Sequence, residues 1–69
     1  MQYSIGEIAK MTGLSPSTLR FYDKEGLLPG LERQGGKRVF GEGHIETLRI
    51  IECLKRSGLE IRDIRKFME

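Results

Sequence analysis

Ser15, Ser17, Thr18, Arg20 and Lys24 fall within ten residues and offer three hydroxyls and two cations. Steps of about 100° per residue put Ser17, Arg20, Phe21 and Lys24 on one side of a helix when Leu19 and Tyr22 face the other. A guanidinium donates as a rigid fork, which matches two acceptors on a guanine edge or on a phosphate. Ser17, Thr18 and Arg20 stand near the helix start, where free backbone amides also suit an anion. Two plainer uses compete: Arg20 can pair with Asp23 or Glu25 on a solvated helix, and Tyr22 can be wholly structural. Phe21 and Tyr22 cannot both be fully buried on so short a helix. One is core, the other partly exposed, and a tyrosine hydroxyl can bond a phosphate while its ring packs.

A second basic group, Arg33, Lys37 and Arg38, surrounds Gln34-Gly35-Gly36. The flanking runs Leu31-Glu32-Arg33 and Arg38-Val39-Phe40 predict a small β-hairpin, because paired glycines permit the positive φ angles of a tight turn. A disordered glycine loop is the alternative. As a hairpin, the segment projects a basic wing that would touch phosphates or the minor groove and add affinity more than sequence preference.

The elements that must hold these groups are short. Ser4 with Glu7 three residues on is a capping-box pair, Ile5, Ile8 and Ala9 share one helical face, and Gly13 stops the helix. Ser15 caps a second helix with Pro16 at its first position, running to about Glu25 and ended by Gly26. Two helices joined by about three residues including a glycine are the sequence form of a helix-turn-helix, whose second helix fits the major groove. Tyr3-Ser4 reads as a lead-in, and Leu27-Leu28-Pro29 as an apolar anchor closing the pair. Ile45, Leu48, Ile51 and Leu54 predict the longest helix, ending at Gly58. A fourth carries Ile61, Ile64 and Phe67 or Met68 inward and Arg62, Arg65, Lys66 and Glu69 outward. The expected fold is mainly α, a winged helix-turn-helix of about four short helices and one hairpin wing.

Composition bounds the rest. Sixty-nine residues allow one domain, residues 1–69, and exclude a large enzyme with an enclosed pocket. Leu, Ile, Val and Phe together make 19 residues, enough to fold a domain that small, though marginally. The net charge of +2 is too small to indicate nucleic acid by itself. Its distribution says more: residues 1–52 balance, whereas residues 53–66 hold five basic and two acidic side chains. A solvated mixed-charge surface reads equally well from charge alone. The single Cys53 excludes an internal disulfide framework and suits a reducing cytosol. No apolar run approaches the roughly 18 residues of a membrane span, and no signal-peptide core follows Met1. A cytoplasmic protein with no membrane partner is expected. Paired carboxylates, a nucleophile–base set and a phosphate-cradling loop are all missing from the sequence, so enzymatic action and cofactors have no support.

The order of these pieces resembles the N-terminal DNA-binding domain of MerR-type transcriptional regulators. The likeness rests on Tyr3-Ser4-Ile5-Gly6-Glu7-Ile8-Ala9, Thr12-Gly13-Leu14-Ser15, Thr18-Leu19-Arg20-Phe21-Tyr22, Gly26-Leu27-Leu28-Pro29 and Arg38-Val39-Phe40, continuing through Ile45, Leu48, Leu54-Lys55, Gly58 and Ile64. The resemblance implies readout of double-stranded promoter DNA around Ser17, Thr18, Arg20 and Tyr22, and backbone contacts from Arg33, Lys37 and Arg38. It also implies a second wing near Gly58 to Arg62. Family members act as homodimers that bend and untwist an over-long promoter spacer so that RNA polymerase engages both elements, a form of indirect readout. The family's dimerisation helix and effector segment lie beyond Glu69, which implies a fragment of a longer protein or a member without that tail.

Departures from the family pattern are Gly41, Gly43 and His44 before the third helix and Glu60 before the fourth, leaving both helix starts prone to fray. Cys53 reads either as a small buried hydrophobe or as a reactive thiol beside Lys55 and Arg56. Some thiol-responsive members of the family carry a cysteine in a similar place, which implies an aldehyde or electrophile sensor. His44 has no ligand partners in sequence, so no metal role is expected. Two further functions fit parts of the pattern: an excisionase-like architectural DNA-binding protein, and a winged helix that binds protein only. An apolar second helix would favour the latter; Arg20, Lys24 and the basic wing do not.

Overall fold

A computed structural model describes Met1 to Met68, the Met68 side chain excepted; the expected inward place of Met68 and outward place of Glu69 lie outside the described residues. The chain runs β1 (Gln2–Ser4), α1 (Ile5–Thr12), α2 (Pro16–Lys24), β2 (Glu32–Gln34), β3 (Lys37–Gly41), α3 (Glu42–Arg56) and α4 (Ile61–Met68). The fold is the expected winged helix-turn-helix with one addition. The lead-in is a strand: Gln2, Tyr3 and Ser4 pair antiparallel with Gly41, Phe40 and Val39. Three residues are too few to show a period of two, so only the partner strand makes them β.

β3 is the centre of a sheet ordered β1-β3-β2. On its other edge Glu32, Arg33 and Gln34 face Val39, Arg38 and Lys37. Gly35 and Gly36 turn the hairpin with φ of 58° and 79°, the double left-handed geometry of a two-residue hairpin loop.

Local chemistry starts and stops the helices as the sequence indicates. The Glu7 amide donates to Ser4 Oγ at 3.2 Å, and the Ser4 amide donates back to Glu7 Oε1 at 2.9 Å. Ser15 Oγ accepts from the Thr18 amide at 3.2 Å, and Pro16 opens α2. The two doubtful starts are capped by other means. The Gly41 amide donates to His44 Nδ1 at 3.0 Å, so the side chain three residues on replaces the missing cap of α3. At α4 the Glu60 amide donates to Asp63 Oδ2 at 3.2 Å.

Ile8, Leu19, Tyr22, Leu27, Leu28, Phe40, Ile45, Leu48, Ile51 and Ile64 form one buried cluster drawn from every helix, the α2–β2 connection and β3. The anchor Leu27-Leu28 is thereby fixed. Of the expected pair Phe67 or Met68, Phe67 is 68% exposed; Ile64, fully buried, and Ile61, packed against the cluster, carry the α4 contact.

Candidate nucleic-acid interface

The outer side of α2 carries Ser17, Arg20, Phe21 and Lys24, all exposed, while Leu19 and Tyr22 are buried. The choice left open between the two aromatics is settled: Phe21 is 46% exposed and Tyr22 1%. The Tyr22 hydroxyl, for which the sequence allowed either a phosphate contact or a wholly structural place, is engaged inward on α3. It donates to Glu52 Oε2 at 2.8 Å and accepts from Lys55 Nζ at 3.1 Å. Burial first, and then the neighbouring Glu52, push its pKa above the ordinary tyrosine value against the opposing hydrogen bond from Lys55. The hydrogen bond to Tyr22 likewise raises the Lys55 ammonium. Phe21 is the residue of this face to which the sequence assigned no contact. Its signal was present, since the 100° wheel that buries Leu19 and Tyr22 turns Phe21 out.

The acids that could neutralise Arg20 are engaged elsewhere. Asp23 accepts from Arg38 Nε at 2.9 Å, and Glu25 lies 3.8 Å from Arg65. Among the described residues the one side-chain hydrogen-bond partner of the Arg20 guanidinium is Ser17 Oγ, 3.5 Å away. Two of the hydroxyls expected at the site have local duties: Ser15 caps the helix, and Thr18 Oγ1 sits 3.0 Å from Ser15 Oγ.

In the wing, Arg33 and Lys37 are exposed, but the Arg38 side chain is only 20% exposed and spent on Asp23. Arg62 stands in the first turn of α4, 78% exposed and 3.7 Å from Glu60, beyond Gly58 with its φ of 95°. Cys53 differs from the small buried hydrophobe among its two readings: it is exposed. An apolar residue at this position would face the core only if it fell in line with Ile45, Leu48 and Ile51, and Cys53 stands about 200° from Ile51. It borders a shallow groove of about 340 Å³ floored by Met11, Ile45 and Leu48 and edged by Arg49, Glu52 and Arg56. His44 serves the α3 cap, and its Nε2 lies 3.0 Å from the Pro29 carbonyl. Among the described residues no three His, Cys, Asp or Glu side chains group as a metal site, and no helix is long and apolar enough to cross a membrane.

Residues 3–69 match the family model described as MerR HTH family regulatory protein. The chain belongs to this MerR family. A Haemophilus influenzae HTH-type transcriptional regulator is 43% identical over 70 residues, covering 100% of this chain and 52% of the relative. The crystal structure of HiNmlR, a MerR family regulator lacking the sensor domain, bound to promoter DNA, superposes with a TM-score of 0.88 at 43% identity, covering 97% of this chain and 52% of that one. A MerR family regulator from Bacillus thuringiensis gives 0.82 at 45% identity over 99% of this chain and 60% of that one. The chain thus spans about half the length of the curated relatives it matches.

Proposed function

We propose that this MerR-family domain binds double-stranded promoter DNA sequence-specifically and controls transcription. In this reading α2 enters the major groove, with Arg20 on a base edge and Ser17, Phe21 and Lys24 beside it. The wing places Arg33 and Lys37 on flanking phosphates, and Arg62 extends the contact from the start of α4. The observation that carries the reading is the outer face of α2: among the described residues its arginine has no acidic partner within 4 Å, and Asp23 and Glu25 are paired with other arginines. The promoter DNA held by HiNmlR supports the same choice.

The protein acts as a homodimer in the cytoplasm, distorting a promoter so that RNA polymerase can engage it; no enzymatic step is assigned to this domain. The experiment is titration of the protein with a promoter duplex and a scrambled duplex, followed by backbone chemical shifts and by affinity against salt. Shifts at Ser15–Glu25 and Arg33–Arg38, with a log–log salt slope of about −0.9 per phosphate, are expected. A flat salt response with neither stretch perturbed overturns the reading. DNA bending with no effect on transcription assigns the architectural role instead.

A second reading concerns Cys53. Its exposure on a groove edged by Arg49 and Arg56 favours a thiol that takes up an electrophile and reports it to the DNA-binding surface.

A further inference from the structure

The reading helix and the wing are separated in sequence by the Leu27-Leu28-Pro29 anchor, yet they meet at one carboxylate oxygen. Arg38 Nε donates to Asp23 Oδ2 at 2.9 Å, and Arg33 Nη2 lies 3.9 Å from the same atom. Arg33 and Arg38 face each other across β2 and β3, so their side chains leave the same side of the hairpin. Two like charges opposite each other repel, and Asp23 offsets that repulsion from the last turn of α2. The two arginines differ in how they are held. The Arg38 side chain is 20% exposed and closely bonded, whereas Arg33 is 58% exposed and distant.

The hairpin needs such a tie. β1 supports β3 only from Val39 to Gly41. Lys37, Arg38 and the glycine turn extend past that support as a two-stranded ribbon, a form that is marginal in water on its own. Among the described residues no other hydrogen bond or ion pair joins α2 to β2 or β3. A carboxylate beside a DNA-reading face lowers affinity by repulsion, so the presence of Asp23 on the edge of α2, between the helix and the wing, calls for a compensating use.

We propose that Asp23 is a positioning residue that locks the wing in register with α2, with Arg38 as the strut and Arg33 left free to reach a phosphate. The proposal rests on the DNA-binding reading above. The two pieces then dock as one rigid surface, and the site's spacing is built into the protein before DNA arrives. The lock trades affinity for discrimination: it costs repulsion on every duplex, and repays it only where groove and backbone contacts fall in phase.

The test compares Asp23→Asn, Arg38→Gln and the double variant on promoter and scrambled duplexes, with melting curves to confirm folding. Asp23→Asn is expected to lower the promoter-to-scrambled affinity ratio about five- to tenfold while leaving or raising scrambled binding. Arg38→Gln should lower the ratio to a similar degree, and the double variant should add little, as members of one pair do. An Asp23→Asn protein that binds both duplexes more tightly with an unchanged ratio makes Asp23 a bystander charge and overturns the proposal. So does an Arg38→Gln protein that loses about 0.9 of salt slope on both duplexes, because Arg38 is then a phosphate contact. Amide relaxation of residues 33–38 in the DNA-free protein decides the lock separately: Asp23→Asn should loosen these amides, and Asp23→Glu should restore part of their order. Unchanged relaxation overturns the lock, whereas a wild-type protein with an ordered wing and no affinity for either duplex overturns only the DNA-binding reading.

Discussion

The Tyr22 hydroxyl donates to the Glu52 carboxylate at 2.8 Å, bridging α2 and α3 across thirty residues of chain, and Lys55 closes the set at 3.1 Å with its ammonium 5.6 Å from the ring centre. Helix α2 is only nine residues long, too short to persist without tertiary support. This polar set, beside the buried Leu19, fixes its rotation and therefore decides which side chains face outward.

Tyr22→Phe keeps the ring and removes the bridge. The expected cost is about 1.5 kcal/mol, at the lower end for a hydrogen bond to a charged partner because Glu52 is partly open to water. The pH dependence follows from raised pKa values at Tyr22, through burial, and at Lys55, through its bond to Tyr22. Both groups hold their protons longer in the folded than in the unfolded chain. Their contribution is fully present below about pH 10 and is lost as pH rises through the raised folded values. Thermal melts from pH 8 to 11 should show an alkaline decline that is smaller in Tyr22→Phe; identical declines would detach the effect from this pair.

His44 holds two segments at once, the Gly41 amide at the start of α3 and the Pro29 carbonyl before the wing, each at 3.0 Å. His44→Ala removes a helix cap and a loop tie together. A loss of about 1–2 kcal/mol is expected by the usual worth of a cap and a further hydrogen bond. Hydrogen exchange should speed up at Glu42–Ile45 before it changes in α2. Uniform acceleration through the chain would mean that the residue acts on global stability instead.

The elements that satisfy themselves locally were legible in sequence. Ser4 with Glu7, Ser15 with Pro16, and Gly35-Gly36 each form their cap or turn from neighbours within a few residues, so type and spacing sufficed. Partners far along the chain were not legible. Gln2–Ser4 is β only because Val39–Gly41 lies beside it. Tyr22 and Arg38 were left without their partners because Glu52 and Asp23 reach them through the fold; the cap of α3 is local but was missed because it comes from the His44 side chain and not from the cap residue Gly41. A helical wheel tells which side of α2 faces inward, but not that Asp23 on its edge already holds the wing's arginine.

Arg20 is the residue whose role discriminates between reading bases and gripping backbone. Arg20→Ala should weaken promoter binding by about 1–3 kcal/mol when the guanidinium forks onto a base. Its exposed place and lack of an acidic partner leave the melting temperature little changed. Fluorescence anisotropy on promoter and scrambled duplexes checks the assignment. Equal losses on both would move Arg20 to a phosphate.

Cys53 and Glu52 are adjacent on α3 and both edge the groove of about 340 Å³. Because Glu52 also holds the Tyr22 hydroxyl, an adduct on Cys53 large enough to displace that carboxylate perturbs the support of α2 without touching DNA. A maleimide should label the native protein at one thiol per chain and at a rate within about tenfold of the denatured chain, as exposure of Cys53 dictates. The labelled protein is then expected to bind the promoter several-fold more weakly, and Cys53→Ser treated alike should be unaffected. Strong protection of the native thiol would contradict its exposure. Full labelling with unchanged affinity would break the link from Cys53 through Glu52 to Tyr22, since the bulk would then be accommodated in the groove without disturbing the bond that orients the reading helix.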